Sequence, residues 1–77
     1  MEKIKYFFDN IGRTNVDENT DYLIENGILD SLGIINLIEE IESFYDINID
    51  FDYITQENFR NFQSIKNMIE KIINEKN

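Results

Sequence analysis

Apolar residues recur at the helical period in three separate segments, and this limits the fold class before anything else is considered. Ile34, Leu37, Ile38, Ile41, Phe44 and Tyr45 form one stripe, which predicts a helix from Ser31 to about Tyr45. Ile4, Phe7, Phe8 and Ile11 repeat the spacing, so a first helix is expected from about Glu2 to Ile11, with Gly12 as its stop. Ile65, Met68, Ile69, Ile72 and Ile73 predict a final helix. Ser64 is read as its N-cap, with Lys71 and Lys76 near the negative end of its dipole. Thr55 is read as the cap of a short helical turn through Phe59. Residues 46–54 read as irregular or extended, with Ile47 and Ile49 inward.

Between the first two helices, residues 13–30 are polar, with Val16, Leu23, Ile24, Ile28 and Leu29 as anchors. A loop of this length in a small domain serves a function or crosses one end of a bundle, and a crossing joins two roughly parallel helices. The expected fold is all-α: a bundle of three main helices plus one short helix, with a long loop between helices 1 and 2, forming one domain over residues 1–77.

Composition narrows the function. A chain of 77 residues buries only about 60% of its unfolded surface, which leaves little room for both a core and an enclosed active site. It has no Cys, His, Pro or Trp, which excludes disulfides, a Cys/His zinc site and any Cys- or His-based triad. A Ser nucleophile would lack a base, since no Lys stands in the middle of the chain either. A non-catalytic role is expected. Sixteen acids against seven bases give a net charge of −9, which disfavours nucleic acid and anionic membranes as partners. No Lys or Arg occurs from Thr14 to Phe59, where twelve acids fall, so an acidic middle should steer basic partners. No segment reads as a signal peptide or a membrane span, so a cytoplasmic monomer is the expectation.

Two acidic stretches partly match a calcium loop. Asp17, Asn19 and Asp21 begin one, but Tyr22 stands where Gly is needed and Ile28 where the bidentate Glu belongs. Asp46, Asn48, Asp50, Asp52 and Glu57 fit better, yet Phe51 takes the Gly position. No specific metal site is expected, only weak divalent binding. Ser31 has two readings. It is an N-cap closing the first turn of the central helix, or an exposed hydroxyl for modification, where a phosphate would meet the free N–H groups of a helix start. Asp30 beside it would help hold a metal-bound or basic partner. A second row on the helix, Leu32, Ile35, Glu39 and Glu42, mixes apolar with acidic side chains and is a candidate contact surface.

Gly27-Ile28-Leu29-Asp30-Ser31-Leu32 after a long loop resembles the attachment motif of the acyl carrier proteins. The resemblance extends over the stripe Leu37-Ile38-Ile41, Tyr45-Asp46-Ile47-Asn48-Ile49, and Asn58-Phe59 followed by Ile65 and Ile69. It implies a four-helix fold with one short helix. It also implies 4′-phosphopantetheine on Ser31, transferred from coenzyme A by a separate phosphopantetheinyl transferase that uses Mg, with an acyl or aminoacyl group held on its thiol as a thioester. The sulfur would come with the cofactor, which suits a chain without Cys. Asp30, Leu32, Ile35 and Glu42 match the family's docking positions for enzymes with basic patches, and Glu39 lies on the same row. Gly33 and Asn36 depart from the acids that fatty-acid carriers place there, and Leu29 is bulkier than their usual residue.

The second half, with Glu57-Asn58-Phe59 and Ile65, is closer in pattern to D-alanyl carriers and other free-standing carriers loaded by an adenylating ligase. Asp50 and Leu32 depart from that pattern. Such a carrier would serve a loading ligase and downstream acyltransferases. A fatty-acid carrier is the rival within the family, and an acidic helical adaptor without a prosthetic group is the rival outside it. Ile34, Leu37, Ile41, Ile49 and Ile69 are candidate walls for a cargo shelter, or simply core.

Overall fold

The structure, a computed structural model, describes residues 2–76, apart from the side chains of Glu2 and Lys76. The expected dipole role of Lys76 therefore lies outside the described residues. Three helices form: α1 (Glu2–Asn10), α2 (Ser31–Tyr45) and α3 (Phe62–Lys76). A 3₁₀ turn (Phe51–Tyr53) lies between α2 and α3. Among the described residues there is no strand, and no helix is long and apolar enough to cross a membrane.

Helix α1 packs against both α2 and α3 and carries the aromatic centre of the core. Phe7 and Phe8 are adjacent in sequence, so they diverge by about 100° around the helix and serve different neighbours. Phe7 meets Phe44 and Tyr45 of α2 edge-on, with ring centroids 5.5 and 6.0 Å apart. Phe8 lies against Phe62 of α3 at 5.0 Å. Phe7, Phe8, Phe59, Phe62, Leu23, Leu29, Leu37, Ile41 and Ile65 are fully buried. Each such side chain contributes about 1.5–3 kcal/mol of transfer free energy, which offsets the ordering of a short chain.

Helix α1 ends one residue earlier than its apolar spacing suggests, through a backbone device. Gly12 adopts a positive φ of 80°. This lets the Arg13 N–H reach the Phe8 carbonyl at 2.9 Å and the Gly12 N–H reach Asp9 at 3.1 Å, the paired bonds of a Schellman stop. Gly27, with φ 76°, closes a single helical turn inside the loop in the same way. There Ile28 N–H donates to Leu23 and Gly27 N–H to Ile24, both at 3.0 Å. Val16, Leu23 and Leu29 pin the loop to the core as expected, and Ile24 and Ile28 are half-buried against it.

Helices α1 and α2 start at Glu2 and Ser31 as expected, but the start of α3 differs from the sequence reading. Asn61, not Ser64, caps α3: its Oδ1 accepts the Ser64 N–H at 2.9 Å. Asn61 also donates to Asp21 at 3.1 Å, so one amide both caps a helix and holds the loop. Thr55 does cap its turn, with its Oγ1 accepting the Asn58 N–H at 3.1 Å, but the segment is one hydrogen-bonded turn ending at Phe59. Ile47 and Ile49 are buried, as expected. Phe44 is 49% exposed rather than core, because it sits at the rim of α2 under the Lys3 ammonium, 4.4 Å from its ring centre.

The acidic middle is not left without cations. Arg60, just beyond it, forms a bidentate pair with Asp21, Nε to Oδ1 at 2.9 Å and Nη2 to Oδ2 at 3.0 Å. Its guanidinium also stacks 4.5 Å from the Tyr22 ring centre, and its carbonyl accepts the Leu23 N–H. The Arg60 guanidinium holds the Asp21 carboxyl below its ordinary value. Among the described residues no group of three or more carboxylates is placed to hold a metal ion, and Asp21 of the first calcium-like stretch is paired with Arg60.

Candidate functional site

The start of α2 is organised by Asp30. Leu29 before it is buried, which anchors the chain as it enters the helix. Asp30 is extended, with φ −90° and ψ −177°, so its side chain folds back over the first turn. Its Oδ1 accepts the Gly33 N–H at 2.7 Å, and its carbonyl accepts the Ile34 N–H at 2.9 Å. Asp30 is therefore the N-cap, and the expectation that Ser31 caps the helix is corrected. Both residue types cap well, and the one nearer the loop takes the position.

Ser31 consequently stands at the first helical position. Its side chain is exposed, and no described residue hydrogen-bonds its hydroxyl. The Ser31 and Leu32 N–H groups have no intrahelical acceptor, so this end of a fifteen-residue helix favours an anion attached beside it. Among the described residues no side chain hydrogen-bonds this alcohol, which stands next to the partial positive charge of the helix start. That suits an acceptor for a group delivered by another enzyme.

Gly33 and Arg13 complete the site, and sequence reasoning assigned neither a role there. The Arg13 Nη2 lies 3.2 Å from Asp30 Oδ1, its Nε donates to the Ile28 carbonyl at 3.0 Å, and its Nη1 reaches Ile11 at 3.4 Å. Gly33 is buried beneath this contact. A Cβ there would stand 3.1 Å from Asp30 Oδ1 and 3.3 Å from Arg13 Nη2. The Asp30 carboxyl is held below its ordinary value, first by the Gly33 N–H and then by the Arg13 charge. The available signal was Arg13's place as the last base before the acidic stretch.

Beyond Ser31 the outer row of α2 divides. Leu32 and Ile35 are 63% and 53% exposed, and Glu39 is exposed beyond them. Glu42 is half-buried, and its Oε2 accepts the Ile49 N–H at 2.9 Å. Its carboxylate therefore ties α2 to the following segment, a structural duty that its helical spacing does not reveal. Leu37 and Ile41 are closed core, Ile49 is buried, and Ile34 is half-buried. Ile69 borders an apolar cavity of about 180 Å³ with Ile4, Tyr45 and Ile73. Because Tyr45 ends α2, that cavity lies a helix length, about 22 Å, from Ser31. Leu37, Ile41 and Ile49 are not among the residues lining it.

Comparison with family models, with curated proteins and with solved structures finds no match.

Proposed function

We propose that this chain is a carrier protein, with Ser31 as the attachment point of a 4′-phosphopantetheine arm. The observation that carries the reading is the division of labour at the start of α2. Asp30 performs the capping, and Ser31 is left exposed with an unbonded hydroxyl. The resemblance of the 27–32 segment to the carrier motif supports it, as does the exposed Leu32–Ile35 pair beside the hydroxyl. The turn from Thr55 to Phe59 stands where the family's short helix would be, and this supports the four-helix version of the fold.

The residues present fit the group. Ser31 would bear it, the N–H groups of the first turn would favour its phosphate, and Asp30 would stand beside the reacting oxygen. Ser31 Oγ would be the acceptor of the phosphopantetheinyl group from coenzyme A, with adenosine bisphosphate as the leaving group and the hydroxyl proton passing to the transferase. When bound, the arm supplies a thiol that holds an acyl or aminoacyl group as a thioester. Leu32, Ile35 and Glu39 would face the transferase, the loading ligase and the acyltransferases. The pattern of the second half, Glu57-Asn58-Phe59 followed by Ile65, supports a free-standing, ligase-loaded carrier, here proposed as cytoplasmic, over the fatty-acid rival. The test is intact mass after incubation with coenzyme A, Mg²⁺ and a broad-specificity transferase. Wild type is expected to gain one phosphopantetheine and Ser31→Ala none. No gain, with a control carrier modified in parallel, would favour the adaptor reading.

A further inference from the structure

We infer that Arg13 is a positioning residue for the modification of Ser31, acting by holding the loop end and the Asp30 cap in one fixed arrangement; this rests on the carrier reading. Three acceptors from three places converge on its guanidinium: Ile11 just past α1, Ile28 in the loop, and Asp30 at the start of α2. Without it the Gly33 N–H bond still caps α2, so the helix survives. What is lost is the tie from the Asp30 cap to the Ile28 carbonyl and to the end of α1. The loop end would then hang on Leu29's burial and on the Ile28 and Leu29 N–H bonds to Leu23, 3.0 Å each.

The surrounding packing is built around this contact. A Cβ at position 33 would make both partners give by a few tenths of an ångström, so Gly33 leaves the Arg13–Asp30 contact uncrowded. The chain carries no other base between positions 14 and 59, so no neighbour in that stretch can replace it. A planar fork can hold a carbonyl and a carboxylate together, whereas an ammonium is a single point of charge. Misplacing a reacting atom by about 1 Å can cost on the order of 100-fold in rate, which sets the scale of the effect.

The test is transferase kinetics with coenzyme A on wild type, Arg13→Gln and Arg13→Lys, beside hydrogen exchange at the Ile28 and Leu29 amides. Arg13→Gln is expected to lower kcat about tenfold or more with KM within about twofold, and to speed exchange at those amides while the amides of α2 stay protected. Arg13→Lys is expected to fall between the two. Glu39→Lys, a contact-surface change, is expected to raise KM instead. A wild-type kcat in Arg13→Gln would overturn the inference and leave the carrier reading intact. A wild type that accepts no arm at all would remove the carrier reading itself. If Arg13→Gln does not fold, Arg13→Lys decides: it keeps a positive charge but loses the fork, and a wild-type kcat with wild-type exchange there sinks the proposal.

Discussion

Asp30 does two things at once: it caps α2 through the Gly33 N–H and it pairs with Arg13, and the pairing depends on its charge. Its folded carboxyl is held below the ordinary 3.8 by the Gly33 N–H and by Arg13, and that of Asp21 by Arg60. A carboxyl with a lowered folded pKa contributes stability that is fully present above the unfolded value. That contribution is lost as pH falls through the folded value. Both carboxylates are therefore expected to support the fold at neutral pH and to fail below about pH 4. Thermal melting against pH checks this. Asp30→Asn should keep the cap, because Asn caps as well as Asp, and should flatten part of the acid limb. Asp30→Ala should lower the melting temperature at neutral pH too. Equal melting of both variants and wild type at every pH would show that the Oδ1 contacts contribute nothing.

Helix boundaries show what a periodic pattern can and cannot reveal. The body of α2 was legible because six apolar residues repeat at its period from Ile34 to Tyr45, and burial of Leu37 and Ile41 follows from the same stripe. Its cap was not legible, because Asp30 and Ser31 are adjacent and equally able to accept the Gly33 N–H. The start of α3 was displaced because Asn61 and Ser64 both carry capping side chains, and Asn61, three residues earlier, takes the position. Glu42 and Glu39 share a row, and only the bond from Ile49 separates them. Glu42→Gln should cost little, while Glu42→Ala removes the acceptor of a part-buried N–H and should cost about 1 kcal/mol. Glu39→Ala should leave denaturant stability within about 0.5 kcal/mol of wild type. Matching losses for the two alanine variants would contradict the assigned difference. Gly27→Ala forces an L side chain into a positive φ and should cost about 1–2 kcal/mol, read from the same denaturant curves.

At the scale of the molecule, the all-α class and the pinned loop followed from composition and spacing, but the two arginine clasps did not. Arg13 with Asp30 and Arg60 with Asp21 join residues far apart in sequence, and no local pattern encodes such a pair. They relieve the acidic middle at two points and leave a net charge of −9. Repulsion should still dominate, so raising NaCl from about 0.01 M to about 0.15 M, which shortens the Debye length from about 30 to about 8 Å, is expected to raise the melting temperature. A fall would mean that the clasps outweigh the repulsion. Cargo is tested on the same scale. If the arm holds short polar groups, loading longer acyl chains should leave the methyl signals of Leu37, Ile41 and Ile69 nearly unmoved. Large shifts that grow with chain length would point to fatty cargo.

The chain has three serines, Ser31, Ser43 and Ser64, and the account assigns the prosthetic arm to one of them. The most direct test is to treat the intact protein with coenzyme A and a phosphopantetheinyl transferase, digest it, and locate the added mass by fragmentation. A single phosphopantetheine is expected on the peptide that contains Ser31, with the Ser43 and Ser64 peptides unchanged. An arm on Ser43 or Ser64, or no arm where a control carrier is fully modified, would contradict it.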